Sequence, residues 1–126
     1  MTTAVIYSSK LGGTRKVAEY IAQKIGAEAI DVKTNPDVSK YDRIIIGSGV
    51  YAGKPSKAIT NFVAANKEKL SGASLFVTCM YNDEKGAKQL ETIANNLGIA
   101  DAIFFDKAKK RVATEDSKLE EYIKTL

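Results

Sequence analysis

The sequence predicts an α/β fold: a doubly wound parallel sheet of five strands with helices on both faces. Short apolar runs alternate with stretches of helical periodicity, which is typical of strands and helices that alternate around a parallel sheet. Residues 43–47 have the continuous apolar character of a central strand buried on both faces. Because 126 residues is the length of one ordinary domain, we expect residues 1–126 to form a single domain.

The first half of the chain supplies three of the strands. Residues 4–8 form the first strand, and the following helix, whose apolar residues fall on one face, ends at Gly26. Residues 28–32 form the second strand, and residues 43–47 form the third. A segment rich in glycine and in hydroxyl-bearing residues directly follows the first strand.

The second half repeats the alternation. A helix capped near Ser56 precedes the fourth strand at residues 74–78, a helix at residues 85–97 follows, and residues 102–105 form the fifth strand. The last helix spans residues 115–124. Ser117 has capping-box spacing to Glu120, and Thr114 is the alternative cap.

The composition excludes several kinds of chemistry. The chain has no histidine and one cysteine, Cys79, so it lacks the soft ligands of a zinc or copper site and a histidine acid or base. The net charge of +4 suits an acidic partner, although acidic and basic residues alternate on most helices. Residues 107–111 form the one basic cluster, which is either a solvated loop or a docking patch.

The apolar segments are short. No run approaches the roughly 20 apolar residues of a membrane span, and the N-terminal residues have no signal-like apolar core. We therefore expect a cytoplasmic protein without an integral membrane segment.

Three loops follow the carboxyl ends of strands one, three and four, where ligands bind in doubly wound sheets. The first loop contains Ser8, Ser9, Lys10, Leu11, Gly12, Gly13 and Thr14. The second contains Ser48, Gly49, Val50, Tyr51 and Gly53. The third contains Cys79, Met80, Tyr81 and Asp83. These are the candidate cofactor-binding residues.

The first loop has the features of a phosphate site. Hydroxyls of Ser8, Ser9 and Thr14 can donate to phosphate oxygens, the glycines let backbone N–H groups converge, and the next helix presents its positive end. The other two loops each contain an aromatic residue, Tyr51 and Tyr81. A phosphate and a flat ring together indicate FMN.

The whole chain resembles the flavodoxin superfamily. Its first loop is similar to the family's phosphate loop, with Ser9 as the first hydroxyl, Gly12 as the glycine and Thr14 as the threonine. Leu11 stands where flavodoxins often have a second threonine, and Gly13 stands where asparagine is common. Backbone amides would then replace two side-chain contacts to phosphate.

The resemblance also implies a ring site and a strand order. Tyr51 falls where the family places a residue against the isoalloxazine ring, and Tyr81 lies near the second aromatic position, with Asp83 close by. The family's sheet has the order 2-1-3-4-5. The implied function is electron transfer by FMN with a redox partner protein, and the basic charge of the chain suits a partner with an acidic face. We expect no nucleic-acid partner and a monomer or weak dimer.

Two other functions remain open. Residues 7–22 and 41–47 resemble the bacterial quinone-dependent protoporphyrinogen dehydrogenases, but the third loop is too short for the insertion found in those enzymes. The first alternative is therefore a small FMN-dependent oxidoreductase acting on a quinone or porphyrinogen. The second is a flavin-free interaction module of the same fold.

Overall fold

The central feature of the fold is a parallel sheet. The structure, a computed structural model, describes residues 2–51, 53–70, 72–79 and 84–126. Its strands are β1 (Thr3–Ser8), β2 (Glu28–Asp31), β3 (Arg43–Tyr51), β4 (Lys54–Pro55), β5 (Ser74–Cys79) and β6 (Asp101–Asp106). Five of them pair in parallel in the order β2-β1-β3-β5-β6, which confirms the predicted order, while β4 pairs antiparallel with β3.

Helices cover both faces of this sheet, as predicted. They are α1 (Gly13–Ile25), α2 (Lys57–Ala65), α3 (Glu84–Leu97), α4 (Ala108–Ala113) and α5 (Ser117–Lys124). Short 3₁₀ turns occupy Val32–Thr34, Val38–Lys40 and Lys67–Leu70. The part of the chain that the structure describes contains no helix long and apolar enough to cross a membrane.

Alternating strand residues divide the core into two layers. Ala4 and Ile6 of β1 pack with α2 and α3, whereas Val5 and Tyr7 pack with α1 and α5. This division follows from the two-residue period of a strand, whose successive side chains point to opposite faces. Both faces of the central strands are therefore buried, as their continuous apolar sequences predict.

Two of the predicted helix ends are confirmed. The hydroxyl oxygen of Ser56 accepts a hydrogen bond from the Ile59 N–H at 3.1 Å and caps α2. Gly26 ends α1 with a φ of 68°, and its N–H donates to the Ala22 carbonyl. Glycine adopts this left-handed conformation without the steric cost of a Cβ.

The predicted start of the last helix is wrong. α5 begins at Ser117, and its cap is neither Ser117 nor Thr114 but Asp116. The Asp116 carboxylate accepts hydrogen bonds from the backbone N–H groups of Lys118 and Leu119. The backbone of Glu115 has a φ of 50°, so the chain turns there instead of continuing a helix.

Two segments differ from their predicted loop conformation. Residues 48–51, expected in a loop, extend β3, because Gly49 pairs with Thr78 of β5 while Val50 and Tyr51 pair with β4. The basic cluster is not a loop either, since most of it forms α4. Both differences lie at the carboxyl ends of the strands, where the candidate site is.

Candidate functional site

A cleft of about 590 Å³ lies at the carboxyl ends of β1, β3 and β5, and we call it the loop cleft. It brings together seven of the predicted site residues from all three loops: Leu11, Gly13, Thr14, Gly49, Val50, Tyr51 and Cys79. Thr78 and the residues 107–110 complete its lining. No acidic side chain is among the described residues that line the loop cleft.

The start of α1 forms one end of the loop cleft. Gly12 precedes the helix with a φ of 90°, and its N–H donates to the Ser9 hydroxyl oxygen at 3.1 Å. The first turn of α1 has neither a side-chain cap nor an acidic residue. The first N–H groups of any helix lack an intrahelical partner, and because no side chain caps them here, this end is suitable for an anion.

Thr14 connects this end of the cleft to the neighbouring strand. Its side chain is buried, and its hydroxyl lies 2.7 Å from the hydroxyl of Thr78 on β5. One hydroxyl must donate to the other, so a single proton between them is committed to this bond. The pair joins the start of α1 to the end of β5.

Tyr51 forms a wall on the opposite side. Its ring lies over Gly49, where an added Cβ would approach the phenolic oxygen to 2.7 Å, so a larger residue at Gly49 would displace the ring. The ammonium of Lys10 lies 4.8 Å from the ring centroid, within the range of a cation–π contact.

A second cleft, of about 750 Å³, lies across Tyr51 from the loop cleft. The predicted site residues Ser8, Ser9 and Lys10 line it. Its other cationic residues are Lys33, Lys54 and Lys57, and we call it the lysine-rich cleft. Tyr51 borders both clefts.

The remaining predicted site residues have other positions. The buried Ser48 hydroxyl donates to the Gly49 carbonyl at 2.8 Å and accepts from the Ser56 N–H at 2.9 Å, which joins β3 to the start of α2. Gly53, with a φ of 78°, lies in the turn between β3 and β4. Met80, Tyr81 and Asp83 lie outside the described residues.

Helix α4 is the part of the site that sequence reasoning did not place. Lys107, Lys109 and Lys110 line the loop cleft. The helix packs against the first loop so closely that an added Cβ at Gly13 would lie 3.5 Å from the Ala108 Cβ. The basic cluster is visible in the sequence. No local sequence signal predicts that it packs beside Gly13, about a hundred positions earlier.

Arg111 anchors α4 to its surroundings. Its guanidinium pairs with the buried Asp106 carboxylate, donates to the Asp106 carbonyl at 2.7 Å, and donates to the Asp116 carboxylate at 2.6 Å. Burial by itself raises the pKa of both carboxyl groups, but the hydrogen bonds and charge of Arg111 lower each pKa below its usual value. Arg111 is therefore engaged within the protein, unlike the lysines that line the loop cleft.

The described residues contain no group of three or more cysteine, aspartate or glutamate side chains placed to hold a metal ion. The loop cleft suits an anion at its α1 end and a flat ring at its Tyr51 end.

Comparison with known proteins identifies the family. The family model of the flavodoxin domain matches residues 4–115. The chain belongs to the flavodoxin domain family. In this flavodoxin domain the matched range includes the loop cleft and the whole of α4.

Curated relatives of this flavodoxin domain are similar over part of their length. An uncharacterized protein of Methanocaldococcus jannaschii is 33% identical over 81 residues, which cover 62% of this chain and 54% of that protein. Protoporphyrinogen IX dehydrogenase (quinone) of Escherichia coli K12 is 30% identical over 78 residues, which cover 56% of this chain and 43% of that enzyme. The chain spans about half the length of these relatives.

Solved structures share the fold of this flavodoxin domain over nearly its whole length. Oxidised flavodoxin 1 from Bacillus cereus has a TM-score of 0.67 at 21% identity and covers 100% of this chain and 99% of its own. A flavoprotein from Lactobacillus acidophilus, crystallised in complex with FMN, has a TM-score of 0.64 at 21% identity and covers 90% of this chain and 97% of its own. At these identities the likeness establishes the fold.

Proposed function

We propose that this flavodoxin domain binds FMN in the loop cleft and transfers electrons to or from a partner protein in the cytoplasm. The observation that supports this proposal is the convergence of the first turn of α1, the Tyr51 ring and the end of β5 on one cleft. A helix end suited to an anion and an aromatic side chain occur there together, as a phosphorylated flat ligand requires. The phosphate would lie at the α1 end and the isoalloxazine ring beside Tyr51.

The α1 end fits a phosphate through its backbone. Gly12, with its φ of 90°, directs the chain into the helix, and the uncapped first turn supplies N–H donors. The Ser9 hydroxyl oxygen, which lines the lysine-rich cleft, accepts from the Gly12 N–H and so holds the turn that leads into the helix. The partial positive charge of the helix N-terminus adds to this preference for an anion.

The Tyr51 end fits a ring through its geometry. Gly49 and Val50 border the cleft beside Tyr51, and the phenol end of the tyrosine lies over the glycine. A planar ligand can pack against such a ring in an offset stack. We propose that Val50 and the backbone at Gly49 limit the depth to which it enters.

Bound FMN supplies the one-electron and two-electron redox chemistry, and the protein supplies binding, orientation and electrostatics. The lysines of α4 make the surroundings of the cleft positive, since the described lining contains no acidic side chain. A partner protein with an acidic face would be attracted to this side of the molecule. The electrostatics therefore favour a carrier that docks its partner beside α4.

Titration of the apo-protein with FMN, with riboflavin as the control, tests the proposal. We expect saturable binding of FMN with quenching of its fluorescence and much weaker binding of riboflavin, because riboflavin lacks the phosphate. Absence of FMN binding at micromolar concentration would contradict the proposal and favour a flavin-free interaction module.

A second candidate is a small oxidoreductase that uses the same flavin. Its support is the 30% identity to the Escherichia coli protoporphyrinogen IX dehydrogenase. Only residues 80–83 connect β5 to α3, so the segment is too short to hold a long insertion there. Assay of the FMN-loaded protein with protoporphyrinogen IX and a soluble quinone distinguishes the candidates: steady turnover supports the enzyme, and its absence supports the carrier.

A further inference from the structure

Helix α4 brings a positive charge to the phosphate loop. An added Cβ at Gly12 would lie 3.7 Å from Cε of Lys109 and 3.9 Å from its ammonium nitrogen. The same helix places Ala108 against Gly13 at 3.5 Å by the same measure. Lys109 therefore extends over the loop that precedes α1, although 96 positions separate it from Gly13 in the sequence.

The one charged side chain of the loop, Lys10, lies against the Tyr51 ring and lines the lysine-rich cleft, so the loop offers little charge to a phosphate in the loop cleft. Leu11 has an apolar side chain that is 87% exposed, and Gly13 has no side chain. The hydroxyl of Thr14 is engaged with Thr78 at 2.7 Å. A phosphate monoester carries between one and two negative charges at neutral pH, whereas a helix N-terminus supplies about half of a positive charge. A cation beside the loop would make up much of that difference.

Among the cations of α4, Lys109 is the one positioned to supply positive charge beside the phosphate loop. Arg111 is engaged with Asp106 and Asp116. Among the described residues, Lys109 is also the only α4 cation whose ammonium lies within 4 Å of the Cβ position at Gly12 or Gly13. In the described part of the chain, Lys109 forms no ion pair that would withdraw it.

We propose that Lys109 determines the preference of this protein for a phosphorylated flavin, because its ammonium provides the countercharge for the phosphate monoester at the start of α1. The inference rests on the proposed binding of FMN in the loop cleft. It assigns to the basic cluster a part in ligand selection as well as in partner docking. Binding of FMN then depends on ionic strength, and binding of riboflavin does not.

Three variants test this role. Lys109→Gln removes the charge, Lys109→Arg keeps it, and Lys67→Gln makes the same charge change in the 3₁₀ turn after α2, away from both clefts. Dissociation constants for FMN and for riboflavin are measured by fluorescence at low and at high salt. Far-ultraviolet circular dichroism of each variant checks that the fold is intact.

We expect Lys109→Gln to weaken FMN binding roughly ten-fold while leaving riboflavin binding unchanged, as for a lost charge-assisted hydrogen bond. The salt dependence of FMN binding should decrease in the same variant. Lys109→Arg and Lys67→Gln should behave like the wild type. Inorganic phosphate should compete with FMN more weakly for Lys109→Gln than for the wild type.

Two results would overturn the inference, and they differ in what else they overturn. If the wild type binds FMN but Lys109→Gln has the same ratio of FMN to riboflavin affinity, the role of Lys109 is wrong and the proposed function stands. If the folded wild type does not bind FMN, both the role of Lys109 and the proposed function are wrong.

Discussion

The ammonium nitrogen of Lys10 lies 4.8 Å from the centre of the Tyr51 ring. Lys10 belongs to the loop after β1 and lines the lysine-rich cleft, whereas Tyr51 ends β3 and borders both clefts. The cation therefore approaches the ring from the side of the lysine-rich cleft. The side toward the loop cleft remains available for a planar ligand.

Replacement of Tyr51 tests this division of the ring. Tyr51→Ala should weaken FMN binding by roughly ten-fold and reduce fluorescence quenching, because an aromatic stack is worth about 0.5–1.5 kcal/mol in addition to its buried area. Tyr51→Phe should retain both properties, since it keeps the ring. Titration of each variant with FMN measures the effect, and equal quenching in Tyr51→Ala and the wild type would exclude stacking on this ring.

The contact between Gly47 and Phe76 predicts a loss of stability. An added Cβ at Gly47 would lie 2.2 Å from Cζ of Phe76, whose side chain is fully buried. Gly47→Ala should therefore lower the free energy of unfolding by about 3 kcal/mol through overpacking of the core. Gly72→Ala is the matched control, because no atom lies within 4 Å of the corresponding Cβ position.

Urea unfolding of the two variants measures these free energies. We expect Gly72→Ala to stay within about 0.5 kcal/mol of the wild type, as is usual for a surface substitution. Equal stability of Gly47→Ala and Gly72→Ala would show that the sheet can separate Phe76 from β3 at little cost.

The anchor of α4 predicts a dependence of stability on pH. Arg111 lowers the pKa of Asp106, against the effect of burial, from an ordinary value of 3.8. A carboxyl group whose pKa is lower in the folded state stabilises that state above its unfolded pKa, and the contribution is lost as the pH falls through the folded pKa. The contribution should be complete at pH 7, begin to decrease near pH 3.8, and be lost as the pH falls through the lower pKa of the folded state.

Asp106→Asn should accordingly lower the free energy of unfolding by about 2 kcal/mol at pH 7, the range of a hydrogen bond to a charged group. The difference from the wild type should decrease as the pH falls below 3.8. Asp101→Asn, at the exposed start of β6, is the control. If the difference in the free energy of unfolding between Asp106→Asn and the wild type stays constant down to about pH 2.5, the ion pair is not its cause.

A shift in the redox potential of bound FMN is expected from Lys110 of α4 and from Lys107, which directly precedes the helix. A unit charge about 10 Å away contributes on the order of 1–2 kcal/mol at an effective dielectric constant near 20, before screening by salt. The potential for the second electron should therefore be less negative than in an acidic flavodoxin. It should decrease by tens of millivolts in the double variant Lys107→Gln, Lys110→Gln, which leaves Lys109 in place.

Anaerobic spectroelectrochemistry at saturating FMN measures this shift, with Lys67→Gln as the control for the loss of a distant charge. The shift should become smaller at high ionic strength. If the potential for the second electron is the same in the double variant and the wild type, these two lysines do not shift it.

The sequence predicted the sheet because its signals are local. The continuous apolar run of β3 and the serine before α2 correctly predicted a buried strand and an N-cap at Ser56. The same reasoning failed for residues 48–51, because their strand conformation depends on pairing with β4 and β5. A two-residue strand has too few residues to produce a periodic pattern.

Helix α4 shows a similar limit. It has six residues and none of them is buried, so it lacks the apolar stripe from which a helix is recognised. Its position depends on ion pairs of Arg111 with Asp106 and Asp116, which lie five residues away on either side. That spacing is visible in the sequence, but only the fold shows that it directs Lys109 toward Gly12.

Amide chemical-shift mapping of the ¹⁵N-labelled protein during FMN titration tests most directly whether the three loops and α4 form one flavin site. We expect saturable shifts at Gly13 and Thr14, at Tyr51, and at Lys109, with residues 64–69 unaffected. Riboflavin should shift Tyr51 but not Gly13 or Lys109. Saturable shifts confined to residues outside the loop cleft, or none at any FMN concentration, would contradict the account.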